Sequence, residues 1–477
     1  MTAYRQLDEI QQDLVNKKVS CVQLVQHYLS KIKEKAHLNA FIEVYSVEAL
    51  KQAESIDQKI KENKAGQLAG LIFGIKDLLC FEGHTVSGAS KILEGFQSPI
   101  TATAIQQLLA EDAVLIGRQN CDEFGMGSSN ENSCYGPVLN DADTEYVPGG
   151  SSGGSAVAVQ AGLCLASIGT DTGGSVRQPA SFCGIVGMKP TYSRISRWGL
   201  LAYASSFDTI GVLTHDIKDA QKIINIMSGQ DPKDATSAQA PAIKTEQEQP
   251  EKYRVAYLAN ALSGDGVSKS IQSRFKQLID TLGAQNHQVD GIQFDYEEYL
   301  LPTYYILTTA EASTNLSRYD GVHYGKRSAE ASDMESLYKN SRTEGFGPEV
   351  RRRIMLGTYV LSADYHDAYF KKAQQLRRLI KEETEQLLAT YDVILSPTSP
   401  TTAFRLGEHQ KNPLEMYMAD VFTVQASVAG IPAISIPLGR DKKEMPFGLQ
   451  IMADAFREDK IFAFSNYLRT LIDQEIA

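Results

Sequence analysis

The stretch PGGSSGGSAVAVQAGLCLASIGTDTGGSVRQPA, Pro148 to Ala180, decides how the rest of the chain is read. Its first half invites three readings: a flexible linker, a phosphate loop, or the nucleophile turn of a serine hydrolase. Flexible linkers lack apolar content, whereas this run feeds directly into AVAVQAGLCLASI. A phosphate loop needs G-x-x-x-x-G-K-[ST], and no lysine follows these glycines until Lys189. Gly149 to Gly153 does match G-x-S-x-G with Ser151 at its centre, but that elbow requires a strand directly before it. Here NDADTEYVP, a polar segment ending in proline, precedes the glycines.

The second half has the missing strand. LASIGTDTGGSVRQPA reads as a strand running into Asp171-Thr172-Gly173-Gly174-Ser175. Successive backbone N–H groups in such a turn can converge as an anion-binding nest. Beside a serine hydroxyl, a nest supplies donors where charge develops on an attacked carbonyl. Ser175 is therefore the better nucleophile candidate, with a glycine turn chosen only for backbone geometry as the alternative. A serine needs a base, and none of the eight histidines (His27, His37, His84, His215, His287, His323, His366, His409) lies in a motif that offers one. A lysine kept neutral by desolvation could serve instead. Lys76 in LIFGIKDLL has the apolar surroundings this requires, although a lone strand-end lysine more often snorkels to the surface.

Outward from this stretch, helical and apolar strand patterns alternate. Ser20 and Gln23 predict a capping box ahead of Leu24, Val25, Tyr28, Leu29 and Ile32, which share one helix face. A second helix is expected from about Val47. LAGLIFGIKDLL reads as a buried strand, and TATAIQQLLAEDAVLIGRQN as a helix turning into a strand, an order that SGGSAVAVQAGLCLASIGTD repeats. RVAYLAN, YDVILSPTSPTTA, PAISIPLG and FGLQIMA add strands, and a last helix is expected from Asp459 to Asp473. The pattern implies an α/β architecture with a largely covered sheet. Residues 230–252, polar and rich in Pro, Ala, Gln and Glu, read as a polar surface loop or an inter-lobe connection, and a helical elaboration is expected over about 260–390. Strands on both sides of the loop predict one sheet, hence a single domain over 1–477.

Composition limits the function. The 477 residues carry a net charge of −11, which argues against a chain that grips nucleic acid alone. No apolar run of eighteen residues exists, so no membrane span is expected, and the N-terminus lacks the order of a signal peptide. A cytoplasmic location is the default. The six scattered cysteines form no C-x-x-C pair, so neither a zinc site nor a disulfide framework is indicated.

Taken together, GIKD, GGSSGGSAVAVQAG and GTDTGGSVRQPASFCGIVGMKPT resemble the amidase signature family, over roughly Leu71 to Leu213. The resemblance implies a large mixed, twisted β-sheet covered on both faces by helices, and an amide hydrolase with a Ser–cis-Ser–Lys triad. Lys76 would be the base, Ser151 the bridging serine on a cis peptide, and Ser175 the nucleophile. The amides of Thr172, Gly173 and Gly174 would join that of Ser175 in the oxyanion hole. Ser152 and Ser155 read as helix-start and turn residues, and Asp171 and Arg177 as pins for the nucleophile turn.

More narrowly, NCDEFGMGSSNENSCYGPVLN, SSFDTIGVLTHD, YYILTTAEASTNLSRYDGVHYG, RTEGFGPEVRRRIMLGTYVLSADYHDAYFKKAQ and MYMADVFTVQASVAGIPAISIPLG are similar to the glutaminase subunits within that family. Cys121, Gly125 and Cys134 depart from the usual residues without touching the triad. That similarity implies free glutamine as the ammonia donor for a tRNA-dependent amidotransferase. Tyr304, Arg353 and Asp420 stand at the glutamine-binding positions, with Ser128 beside the amide. An arginine for the α-carboxylate and an aspartate for the ammonium form the expected complement. It also implies partner subunits B and C, with ATP, Mg²⁺ and the tRNA handled mainly by the first of the two. This chain would itself need no metal or cofactor. The rival readings are a stand-alone amidase and a non-catalytic scaffold subunit.

Overall fold

The computed structural model describes residues 4–244, 252–263, 266–409 and 412–476. Eleven strands form one mixed sheet. In chain order they are β1 (Phe41–Val44), β2 (Ile72–Lys76), β3 (Val114–Gln119), β4 (Ala166–Asp171), β5 (Val186–Lys189), β6 (Thr209–Thr214), β7 (Arg254–Leu258), β8 (Gln288–Ile292), β9 (Val393–Pro397), β10 (Ala433–Arg440) and β11 (Pro446–Met452). Across the sheet the order is β1-β3-β2-β4-β6-β5-β10-β11-β9-β7-β8. Strands β2, β3, β4, β6, β9 and β11 are buried at every residue. Burial at successive residues means that both faces of the sheet are covered.

The helix-then-strand readings map onto real crossovers. Helix Thr103–Ala110 leads to β3 and helix Gly153–Gln160 to β4, and both strands lie parallel to β2, one on each side. The capping box holds, with the Ser20 hydroxyl accepting from the Gln23 N–H at the start of helix Cys21–Glu34. Strands on both sides of the polar loop do share the sheet, since β7, β8 and β9 join the edge formed by β11. Residues 245–251 of that loop lie outside the described residues.

The helical elaboration contains helices Lys269–Ala284, Glu297–Asn315, Met334–Gly345, Pro348–Leu361 and Lys372–Thr390, but β8 interrupts it. β8 escapes a periodicity reading because it is a short edge strand with no buried residue.

Two positions bring the elements close enough to build a site. Helix Gly153–Gln160 begins hard against the end of β3, where a Cβ on Gly154 would lie 2.3 Å from the Asn120 carbonyl oxygen. The parallel pairing of β2 with β4 sets Ile75 opposite Ile168, so Lys76 emerges beside Thr170 and Asp171 at one sheet edge. Carboxyl ends of parallel strands are where α/β sheets place ligands.

Candidate active site

Lys76 is completely buried. Its Nζ lies 2.7 Å from Ser151 Oγ, 3.0 Å from Ser152 Oγ and 2.9 Å from Thr170 Oγ1. Among the described residues it makes no ion pair. Burial pushes its pKa down to about 8, against the pull of Asp122 and Asp171. The neighbours suit a neutral amine. The Ser152 hydroxyl donates to the Thr170 carbonyl at 3.1 Å, so it can receive one Lys76 N–H while Thr170 Oγ1 receives the other. The lone pair is then left for the Ser151 proton.

The Gly150–Ser151 peptide bond is cis. Ser151 is anchored through its carbonyl, which accepts from the Asp122 N–H at 3.1 Å. The Ser152 N–H donates to the Ser175 carbonyl, also at 3.1 Å, and this ties the serine segment to the Gly-rich turn. Ser175 is 9% exposed, and among the described residues its hydroxyl has no hydrogen-bond partner. The Lys76–Ser151 link is thus formed while the Ser151–Ser175 link is open. Catalytic hydrogen bonds often tighten only once substrate is bound.

The turn itself is heavily constrained. Gly174 has φ +148°, and a Cβ on Gly173 would sit 2.4 Å from the Tyr304 ring. Glycine meets both demands. Among the described residues, the N–H groups of Thr172, Gly173, Gly174 and Ser175 have no protein acceptor, as an anion-binding nest requires. Arg177 clamps Asp171 with Nε and Nη2 at 2.9 and 2.8 Å, while the Val176 N–H donates to the same carboxylate. Burial alone would raise the Asp171 pKa, but Arg177, together with Lys189 and the Val176 N–H, outweighs it and holds the carboxyl below its usual range. A fully buried pair with its remaining donors satisfied is expensive to break from one side. Arg177 also donates to the Thr423 carbonyl and to Gln450.

Beyond the turn lies a buried cluster of opposite charges. Ser128 Oγ donates to Asp420 Oδ2 at 2.7 Å. Burial raises the Asp420 pKa to about 7, so a bound ammonium would draw it into the carboxylate form. Arg353, also buried, donates through Nε to Glu349 and through Nη1 to the Tyr203 hydroxyl, both at 2.9 Å. The rings of Tyr203, Tyr305 and Tyr417 surround its guanidinium at 5.3–5.7 Å. Its Nη2 has no protein partner among the described residues and is available for a ligand carboxylate.

The structure brings all ten residues singled out in the sequence into two adjoining groups. Lys76 and Ser151 meet the turn Thr172–Ser175. Tyr304, Asp420, Ser128 and Arg353 line the far side, with Tyr304 against Gly173 and Asp420 Oδ1 3.3 Å from where a Gly174 Cβ would stand. One reading needs correction. Ser155 lies inside helix Gly153–Gln160 rather than in a turn, whereas Ser152 does start that helix; the Ser152 hydroxyl makes no cap and contacts Lys76. Missed by sequence reasoning were Thr170, Asp208, Tyr203, Tyr305, Glu349 and Thr423. Thr170 had a legible signal, two residues before the Gly-rich turn on the strand beside Lys76. The others come from distant segments and had none. Among the described residues no histidine hydrogen-bonds Ser151 or Ser175, so the nucleophile-elbow arrangement with a histidine base is absent there. No group of three or more His, Cys, Asp or Glu side chains is placed to hold a metal among those residues, and no helix is long and apolar enough to cross a membrane.

The arrangement can generate a serine alkoxide against a neutral amine, bind an oxyanion and recognise an α-amino acid. A family model described as Amidase matches residues 23–462. The A subunit of glutamyl-tRNA(Gln) amidotransferase from Chlorobaculum parvum is 46% identical over 477 residues, covering 98% of each chain. That of Prosthecochloris aestuarii is 48% identical over 469 residues, covering 96% of this chain and 97% of its own. Among solved structures, the A subunit of glutamyl-tRNA(Gln) amidotransferase from Thermotoga maritima superposes with a TM-score of 0.76 at 39% identity. That match covers 92% of this chain and 89% of the Thermotoga chain.

Proposed function

The chain belongs to the amidase family, and from that membership we propose that it is the glutamine-hydrolysing subunit of a glutamyl-tRNA(Gln) amidotransferase. In this reading glutamine binds with its α-carboxylate on Arg353 and its α-ammonium at Asp420. Tyr304 and Ser128 border the side chain, and the carboxamide reaches Ser175.

The chemistry follows from the positions of the donors and acceptors. Neutral Lys76 takes the proton of Ser151 as Ser151 takes that of Ser175, and Ser175 Oγ bonds to the carboxamide carbon. The amides of Thr172, Gly173, Gly174 and Ser175 bind the resulting oxyanion. As the C–N bond breaks, Lys76 returns the proton through Ser151 to the leaving nitrogen. Ammonia departs and a γ-glutamyl ester remains on Ser175. Water then adds through the same relay, releasing glutamate and restoring the serine hydroxyl.

The ammonia goes to a partner subunit that uses ATP and Mg²⁺ on Glu-tRNA(Gln), or on Asp-tRNA(Asn), with a small third subunit joining the two. An acidic chain is compatible with this division, because the tRNA is held elsewhere.

The observation that carries the reading is the buried Lys76 amine, 2.7 Å from Ser151, with hydroxyls rather than carboxylates around it. The test is to quench the assembled enzyme in acid during glutamine turnover and map its peptides by mass spectrometry. A γ-glutamyl adduct on Ser175 is expected, and it should vanish in Ser175→Ala. An adduct on Ser151 or on a cysteine would overturn the assignment. Turnover of simple amides with glutamine ignored would favour a stand-alone amidase.

A further inference from the structure

Asp208, immediately before β6, is 3% exposed and makes no ion pair among the described residues. A buried carboxylate without a cation is costly, so its contacts bear on why it is there. Its Oδ1 accepts the Thr172 hydroxyl at 2.8 Å. Its Oδ2 accepts the N–H groups of Tyr203 and Ala204 at 2.9 and 3.1 Å. Tyr203 in turn accepts from Arg353 through its hydroxyl at 2.9 Å and donates to Thr308 at 3.0 Å. One carboxylate therefore joins the Gly-rich turn to the segment that carries a ligand of Arg353.

We propose that Asp208 is a positioning residue that couples occupation of Arg353 by a substrate carboxylate to the placement of the oxyanion turn. The proposal rests on the reading of the charged cluster as a glutamine site. When the carboxylate engages Arg353, Tyr203 is drawn into a fixed orientation. Its backbone N–H and that of Ala204 hold Asp208 Oδ2, and Asp208 Oδ1 holds Thr172, whose own amide lies in the turn. An α-amino-acid amide thereby sets the turn that an amide lacking those groups leaves unset. Specificity for glutamine then appears in kcat as well as in KM.

Thr172→Val removes the hydroxyl at one end of this bridge and leaves Asp208, Tyr203 and Arg353 in place. In the chain co-purified with its partner subunits, kcat and KM are measured for glutamine and for butyramide, which is the glutamine side chain without its α groups. Thr172→Val is expected to lower kcat for glutamine roughly tenfold with KM changed less than about twofold. The kcat for butyramide should fall by a clearly smaller factor than that for glutamine, so the ratio of the two kcat values drops. Thr172→Ser, which restores the hydroxyl, should recover the wild-type ratio. Equal losses on both substrates, an unchanged ratio, or failure of Thr172→Ser to recover it would overturn the coupling. Wild type measured in the same assay separates the two ideas. If it ignores glutamine, the functional reading falls and takes the coupling with it. If it turns glutamine over and the ratio survives Thr172→Val, the coupling alone is wrong.

Discussion

At the scale of single residues, Lys76 is where stability and the proposed chemistry oppose each other. Burial lowers its pKa from 10.5 to about 8, so at neutral pH the folded chain must hold an unfavourable charge or release a proton. Between about pH 8 and 10.5 the unfolded chain binds more protons at this site than the folded one, and stability from Lys76 rises with pH across that window. A difference of this size corresponds to about 3 kcal/mol at pH 7. Lys76→Met is therefore expected to melt at or above the wild-type temperature at pH 7, with the advantage shrinking towards pH 10, while glutaminase activity is lost. Calorimetry across that range checks the sign. In the proposed relay the same ionisation sets the rate. Because Lys76 must be neutral and Asp420 charged, kcat/KM for glutamine should rise with pH through about 7 to 8. Asp420→Asn should flatten the part of that rise seen in KM and leave the part seen in kcat. Much of this constellation was legible in the sequence, since Lys76, Ser151 and Ser175 lie in dense local motifs. The supports around them were not. Glu349 offsets the charge of Arg353 from one helical turn earlier, and Thr423 Oγ1 donates to the Gly173 carbonyl from 250 residues away.

At the scale of elements, the site depends on how closely a helix and a turn approach the sheet. Gly154 lets helix Gly153–Gln160 start against β3, and Gly154→Ala would press a methyl into the Asn120 and Ala40 carbonyl oxygens. A loss of about 1–3 kcal/mol or more is expected by denaturant melting, with activity falling because Ser151 and Ser152 lie just before that helix. Asp171→Ala should cost about 3–5 kcal/mol, because it leaves the Arg177 guanidinium buried without its carboxylate. The helices and central strands were readable because their apolar patterns are long and regular. β5, with four residues, and β1, half-buried along its length, offer too little pattern. The sequence TIGVLT is plainly strand-like once its antiparallel pairing with β4 is seen. Pro302 sits inside helix Glu297–Asn315, five residues from its start, where a proline ordinarily argues for a break.

At the scale of the whole molecule, one eleven-stranded sheet holds both halves of the site. The Lys76 and Ser175 side comes from β2 and β4, whereas Arg353 and Asp420 come from beyond the polar loop. The net charge of −11 fits the proposed subunit, which makes ammonia and leaves the tRNA to a partner, and the proposed function stands or falls with that division of labour. Its most direct test is amidation of Glu-tRNA(Gln) by the co-purified complex carrying Ser175→Ala, with glutamine or with ammonium chloride as nitrogen donor. Amidation from glutamine should be lost, by roughly 10⁴-fold or more, while amidation from ammonium chloride persists at the wild-type rate. Full glutamine-dependent amidation by Ser175→Ala would contradict the proposed function.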